Sequence, residues 1–409
     1  MQKSLKLSNN LFFKILIFFL AISICSRSFY TRIYGSHNIE LILLISLSLI
    51  NIIFYLKKYK TIKITIPLCA GLMVLFNYRC MTSVNIINLV FYIICMIFFL
   101  IIQNNSDLVK ILMKMIVCFG LITAIVTWIS YFFPQIYLDK IINIFSQASI
   151  PEVKRYFIYN GHYMGLTTHY SRNAFYIVSS LIFLTPFILD KKSLPKYIIK
   201  YIFLFLTLLL IGKRGHTIFF IISFYVLLIF NEKSNKKRIK NIFKWTGISL
   251  ILFLFILIFI PEINTVFLRI FNSSNDITTG RGELYKISIE MFKNNPILGK
   301  GYGSFARELN YTFAGVHNDY LQLLSENGII GFIIMTSFNL ICYIYTFRAM
   351  KITNYKDNYI KVSFMFQTFI LIYSITGLPR YDYEIMTLYL IMCAFGVEKF
   401  REIYTKRGF

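Results

Sequence analysis

The chain has 409 residues, of which 57% are hydrophobic, 18% aromatic and only 15% charged, and its mean hydropathy is +0.64. Soluble domains are roughly 25% charged, so an ordinary water-soluble globular protein is excluded and a single polytopic membrane body is expected. Lys and Arg number 43 against 18 Asp and Glu, a net charge of +25. In a soluble chain that excess points to nucleic acid; in a membrane chain it points to loops retained on the cytoplasmic side.

A bilayer-crossing helix needs ~20 mostly apolar residues. Twelve candidate runs follow one another, at roughly 11–26, 38–56, 64–78, 85–103, 111–133, 173–189, 197–211, 217–230, 245–261, 328–347, 359–377 and 384–397. The first lacks a small-x-small cleavage site and is followed by further apolar runs, so it reads as a retained span. The predicted fold is an all-α polytopic membrane protein with about 12 transmembrane helices and a large outer, periplasmic loop between spans 9 and 10. Three regions result: 1–261 with helices 1–9 and an outer loop at 134–172, the large loop 262–327, and 328–409 with helices 10–12 and a cytoplasmic tail. The seven cysteines form no CxxC and sit in or beside apolar runs. They read as small buried hydrophobes, not as a disulfide framework or a zinc site.

Alternating the loops gives two sets. The set containing both termini and 231–244 holds 25 Lys and Arg, and the other holds 16, mostly in its two long loops. Long loops weigh little in the positive-inside rule, so both termini are expected in the cytoplasm. The basic excess is then a topology signal, and no nucleic-acid partner is expected. All five histidines, His37, His162, His169, His216 and His317, fall on the outer side in this scheme.

The large loop carries the densest pattern. Leu284, Ile287, Met291 and Phe292 recur at helical spacing, which predicts an amphipathic helix over 283–293, stopped by Asn294-Asn295-Pro296. Arg281 stands at its N-terminus, where free N–H groups and the helix dipole favour an anion. Gly299, Gly301 and Gly303 match neither the Walker nor the Rossmann pattern and are expected to be structural. Asn318 to Glu326 predicts a second short helix ended by Asn327-Gly328, with His317 at its start.

Arg281-Gly282-Glu283 followed by an aromatic, then Asn295-Pro296-x-x-Gly-x-Gly-x-Gly, His317-Asn318-x-Tyr320-Leu321 and Glu326-x-Gly-x-x-Gly resembles the shared domain of bacterial O-antigen ligases and Wzy-type polysaccharide polymerases. Gly212-Lys213-Arg214-Gly215 is similar to a Ser-Arg-Gly or Lys-Arg-Gly at the outer end of a helix in that family. Many members carry Trp where this chain has Tyr285, and Ser where it has Lys213; neither change removes a charge that the chemistry needs.

The resemblance implies a glycosyltransferase in the bacterial cytoplasmic (inner) membrane, acting on its outer face. It would take a glycan from an undecaprenyl-diphosphate carrier and pass it to a hydroxyl. The residue types suit that reaction. Guanidinium binds phosphate bidentately and stays charged, so Arg214 and Arg281 are expected to hold the diphosphate and stabilise the charge that grows as it leaves. His317, of a residue type that titrates near pH ~6.5, is the expected general base for the acceptor hydroxyl. Arg380, Arg172, Lys213, Tyr320, His162 and His169 complete the expected substrate-binding set. The last two lie in a Tyr-rich stretch suited to stacking on sugar rings. No aspartate-rich metal motif is present, so no metal or other cofactor is expected, and attack opposite the departing diphosphate implies inversion.

Three functions compete. A polymerase joins lipid-linked repeat units, with a chain-length regulator as a further partner. An O-antigen ligase uses the same donor with lipid A–core as acceptor. A transporter or flippase places ionisable residues at mid-membrane depth and often shows repeats. Here only Lys14 and Lys114 lie within predicted spans, near their ends, and no repeat is found. The Lys-Arg-Gly form and the Phe, Ile, Tyr and Lys-rich composition favour the polymerase.

Overall fold

The computed structural model describes residues 106–145, 147, 149–190, 195–232, 234–259, 281–309 and 315–406. The first four predicted spans, His37, Lys14 and residues 262–280 and 310–314 of the large predicted loop lie outside the described residues. Among the described residues every regular element is helical and no strand occurs. They divide into two compact units, one built from 107–259 and 353–366, the other from 281–352 and 367–406.

The first unit comprises α1 (Ser106–Phe132), α2 (Ile150–Ile158), α3 (Tyr170–Leu189), α4 (Pro195–Ile211), α5 (Arg214–Phe230) and α6 (Asn235–Phe259). Pro134, which has no N–H to continue a ladder, follows α1 and opens a run of short turns through Ile144. α3 is the central helix: every residue from Asn173 to Pro186 is buried, and the buried Ser179, Ser180 and Thr185 hydroxyls donate back to carbonyls one turn earlier. Gly120 lets α1 approach it closely, since a Cβ there would strike Ser180 Oγ. Phe175 and Phe183 pack on Phe366, with ring centroids 6.2 and 5.7 Å away. Trp128 Nε1 donates to Thr207 Oγ1 at 3.0 Å and ties α1 to α4.

The second unit comprises α7 (Gly282–Asn294), α8 (Ser304–Glu308), α9 (Asp319–Ile352), the last part of α10 (Asn358–Tyr373), a 3-10 turn at Pro379–Tyr381 and α11 (Tyr383–Lys406). α9 and α11 pack along much of their length. Gly396 of α11 sits on Thr346 of α9, and Tyr345 stacks on Phe400 with centroids 5.0 Å apart. α9 has 34 residues and breaks at Gly328, whose φ of 62° and ψ of −170° are not helical.

Each of the eight predicted spans from 111 onwards overlaps a helix among the described residues. Among the described residues three helical stretches, Val109–Phe132, Tyr170–Leu189 and Asp319–Ile352, are long and apolar enough to cross a bilayer. Two predicted boundaries move furthest. α6 starts at Asn235, inside the basic stretch expected as a loop, and α11 runs on to Lys406, through the expected tail. Lys, Arg and Glu are good helix formers, so a helix continues where hydropathy ends.

Candidate functional site

In the second unit, α7 forms where the sequence predicts it. Arg281 is its N-cap and Lys293 lies in its last turn. The apolar face of α7 buries Met291 in a small cluster with Phe305 and Val316, flanked by Leu284, Tyr285, Ile287, Leu309 and Leu321. Ser288 Oγ adds a hydrogen bond to the Leu321 carbonyl at 3.1 Å. The helix that starts at Arg281 is thereby locked to the segment that carries His317.

The glycine-rich loop locks the other end of that segment. Lys300 N–H donates to the Ser325 carbonyl at 3.1 Å, and Gly301 N–H to the Glu326 carbonyl at 2.7 Å. Ile329 N–H donates to the Pro296 carbonyl at 2.8 Å. A Cβ on Gly299 would strike the backbone of Glu326 and Asn327, and one on Gly328 the backbone of Ile297. Both glycines have positive φ. Their role is close backbone approach at the α9 break, as the absence of a phosphate-loop pattern implies.

His317 is exposed and has a φ of 57°. A left-handed non-glycine residue is uncommon, although His is among those enriched there. Such a conformation costs ~1–3 kcal/mol and persists only where its surroundings over-determine it. Here they do. Val316 is fully buried and its N–H donates to Gln322 Oε1 at 3.0 Å. Asn318 Oδ1 caps α9 by accepting from the N–H groups of Tyr320 and Leu321, each at 3.1 Å. Asp319 N–H donates to the Ser374 carbonyl at 2.8 Å.

The stretch from Leu371 to Tyr381 gathers the remaining predicted residues of this unit. Arg281 Nη1 donates to the Thr376 carbonyl at 3.2 Å. Tyr320 Oη donates to the Leu371 carbonyl at 2.8 Å. Arg380 is buried, at 3% exposure. Its Nε lies 3.5 Å from Asp319 Oδ1, and its Nη2 donates to Tyr381 Oη at 3.0 Å. Tyr381 in turn donates to Glu326 Oε2 and stacks on Tyr302, centroids 5.0 Å apart. Burial pushes the Tyr381 phenol well up, so it stays a protonated donor. Arg281, His317, Tyr320 and Arg380 thus belong to one interlocked region. Asp319, Gln322, Glu326 and Tyr381 belong to it too, and sequence reasoning gave none of them a role. The signal was present, since Glu326 opens the Glu-x-Gly motif and Tyr381 follows Arg380.

The first unit holds Arg214, Lys213, Arg172, His162 and His169. α5 begins at Arg214 with Lys213 as its N-cap, after Gly212 at a φ of 70°. His169 is the N-cap of α3, its Nδ1 accepting from Ser171 N–H at 3.1 Å, which leaves Nε2 as the protonated nitrogen of a neutral ring. The Tyr170 ring stacks with His162 and His169 at centroid distances of 4.1 and 4.6 Å. Lys213 Nζ lies 4.7 Å from the centre of the same ring. Arg172 Nη1 donates to Thr168 Oγ1 at 3.4 Å.

Buried polar groups fix the loop that presents these rings. Asn173 Nδ2 donates to Thr127 Oγ1 at 2.9 Å and to the Tyr163 carbonyl at 3.1 Å. Tyr137 Oη donates to the Gly165 carbonyl at 3.2 Å, and burial pushes its phenol up. Lys213, His162 and His169 therefore meet around Tyr170, each already engaged with an aromatic ring.

Residues 200–336 match the family model described as O-antigen ligase. The match includes Lys213, Arg214, Arg281, His317 and Tyr320; Arg172, His162, His169 and Arg380 lie outside it. The matched stretch is similar to the shared domain of O-antigen ligases and Wzy-type polymerases. Together with the apolar helices, that similarity supports a membrane glycosyltransferase of the ligase or polymerase type, and the family implies a lipid-linked glycan donor and an acceptor. No curated protein matches the chain.

Proposed function

We propose that the protein polymerises undecaprenyl-diphosphate-linked oligosaccharide repeat units into O-antigen or capsular polysaccharide on the outer face of the cytoplasmic membrane. The observation that carries the site assignment is His317. It is exposed, held in a left-handed backbone conformation, and locked to the helix that Arg281 caps. Strained, over-determined residues cluster at functional sites.

In this reading the acceptor hydroxyl oxygen attacks the anomeric carbon of the donor. His317 takes the hydroxyl proton as the new glycosidic bond forms. The bond from the anomeric carbon to the diphosphate breaks, and its electron pair leaves with the lipid diphosphate. Arg281 and Arg214 offset the charge on that leaving group. The anomeric centre inverts, and no divalent ion takes part. Both termini and 231–244 are cytoplasmic, with 134–172 and 262–327 outside. Arg172, Lys213, Tyr320, His162 and His169 contribute to binding the two glycans.

The test is transfer by the purified protein, in detergent with chelator present, from a synthetic undecaprenyl-diphosphate oligosaccharide. Longer lipid-linked glycans are expected from the wild type and not from His317→Ala. A wild type that turns over only with an added divalent cation overturns the metal-independent part. One that extends lipid A–core but no lipid-linked unit replaces the polymerase with the ligase.

A further inference from the structure

Five side chains around His317 close into a ring. Arg380 Nη2 donates to Tyr381 Oη at 3.0 Å, and Tyr381 Oη donates to Glu326 Oε2. Gln322 Nε2 donates to Glu326 Oε1 at 3.1 Å. Gln322 Oε1 accepts from Val316 N–H at 3.0 Å. The main chain then runs through His317 and Asn318 to Asp319, whose Oδ1 lies 3.5 Å from Arg380 Nε. His317 thus sits on the backbone arc of a loop whose remaining members are buried or half-buried side chains. Gln322 is 2%, Glu326 0% and Arg380 3% exposed.

We infer that Gln322, Glu326, Tyr381, Arg380 and Asp319 are positioning residues that fix the backbone of His317 for catalysis, with Glu326 setting the direction of the whole ring. The inference rests on His317 acting as the base proposed above.

The direction follows from what each group can do. A carboxylate only accepts hydrogen bonds, whereas a glutamine amide has one accepting and one donating end. Glu326 therefore draws the NH2 of Gln322 toward itself, and this turns the Gln322 carbonyl toward Val316 N–H. If Glu326 were a neutral amide that presented its own NH2, Gln322 would have to reverse, and its NH2 would face the Val316 N–H. A buried ionic network is weak evidence for stability, because well-packed apolar groups often serve as well. Such a network does hold one geometry among several, and its last link ends on the residue next to His317.

This logic yields a swap. In Glu326→Gln the new NH2 faces either Gln322, whose amide must then reverse, or Tyr381 Oη, which then loses its acceptor, so one link breaks either way; Gln322→Met removes the link at similar size. The double variant Q322E/E326Q restores the links that run from Val316 through 322 and 326 to Tyr381. The new carboxylate at 322 accepts from Val316 N–H and from the new amide at 326, which accepts from Tyr381.

The experiment follows two readouts on the full-length protein in detergent. Amide hydrogen exchange reads Val316 directly and needs no activity. Transfer kinetics give kcat and KM. Protection at Val316 should fall in each single variant and return in the double. In parallel kcat should fall ~10²-fold, the scale of a displaced catalytic group, with KM within about twofold, and recover in the double. Unchanged Val316 exchange in both single variants overturns the ring. Lost protection with unchanged kcat overturns the positioning role while leaving the proposed function standing. A wild type that is well protected at Val316 yet transfers no glycan overturns the proposed function, and with it the catalytic purpose of the ring.

Discussion

Arg281 Nη1 donates to the carbonyl of Thr376 at 3.2 Å, across 95 positions of sequence. One guanidinium nitrogen is thereby committed to holding the N-terminus of α7 against the turn that precedes Pro379–Tyr381. A guanidinium has five N–H donors in a rigid fork, so an anchored Arg281 keeps donors available for a phosphate. Lysine has no such division of labour, because its donors share one nitrogen.

Arg281→Lys should therefore lose both the bidentate fork and the preset orientation. Transfer should fall by ~10²-fold or more, close to the loss in Arg281→Ala. The lost hydrogen bond to Thr376 is worth only about 1 kcal/mol, so both variants should insert and purify as the wild type does. Parallel assays of membrane level and glycan transfer check this. A Lys variant with near-normal transfer would mean that a point charge suffices.

The sequence made α7 legible because Leu284, Ile287 and Met291 repeat at helical spacing and Asn294-Asn295-Pro296 stops them. The first turns of α9 were equally plain, since Asn318 caps them and Gly328 ends them. Both signals are local. The ring through Gln322, Glu326 and Tyr381 was not legible, because its long link joins residues 55 apart and depends on how α9 meets the Pro379–Tyr381 turn. Arg380 shows the same difficulty. Its charge and its place between two predicted spans were legible, whereas its burial and its approach to Asp319 depend on how the chain folds. The early start of α6 was missed for a simpler reason. Hydropathy reports apolar surface, and a Lys-rich helical extension has little.

Glycine positions separate two physical situations. Gly328 has a φ of 62° and a ψ of −170°, a region essentially reserved for glycine, and a Cβ there would strike the Ile297 backbone. Gly328→Ala should lower stability by ~2 kcal/mol or more. Gly247 lies in α6 with nothing near a Cβ, so Gly247→Ala should be neutral or stabilising by up to ~1 kcal/mol. Thermal unfolding of the detergent-solubilised variants reads both. Equal effects at the two sites would contradict the close backbone packing at the α9 break.

The topology proposal has its own test. A reporter active only outside the cytoplasm, fused after Lys240, should be silent, and the same reporter after Asn310 should be active. Lys240 follows the densest basic stretch of the chain, where the positive-inside rule is strongest. Because α6 is already helical there, the fusion interrupts a helix, and a cytoplasm-dependent reporter at the same position serves as the matched control. Activity of the external reporter at Lys240 would invert the scheme and move Arg214 to the cytoplasmic side, away from its proposed donor.

The choice between polymerase and ligase is readable in the envelope of a His317→Ala strain. Removing a positioned general base typically costs ~10²–10⁴-fold in rate, enough to abolish long-chain glycan. His317→Asn should lose as much activity while retaining the left-handed backbone, since Asn tolerates that region well, and so separates chemistry from folding. If the protein is a polymerase in a host with a separate ligase, that ligase still transfers single units. Gels should then show lipid A–core bearing one repeat unit and no ladder. If the protein is itself the ligase, the core stays bare and long chains accumulate on the undecaprenyl carrier. A bare core with carrier-linked long chains overturns the polymerase assignment. It leaves His317 as the base and Arg281 as the diphosphate anchor intact, because both enzymes break the same bond in the same donor.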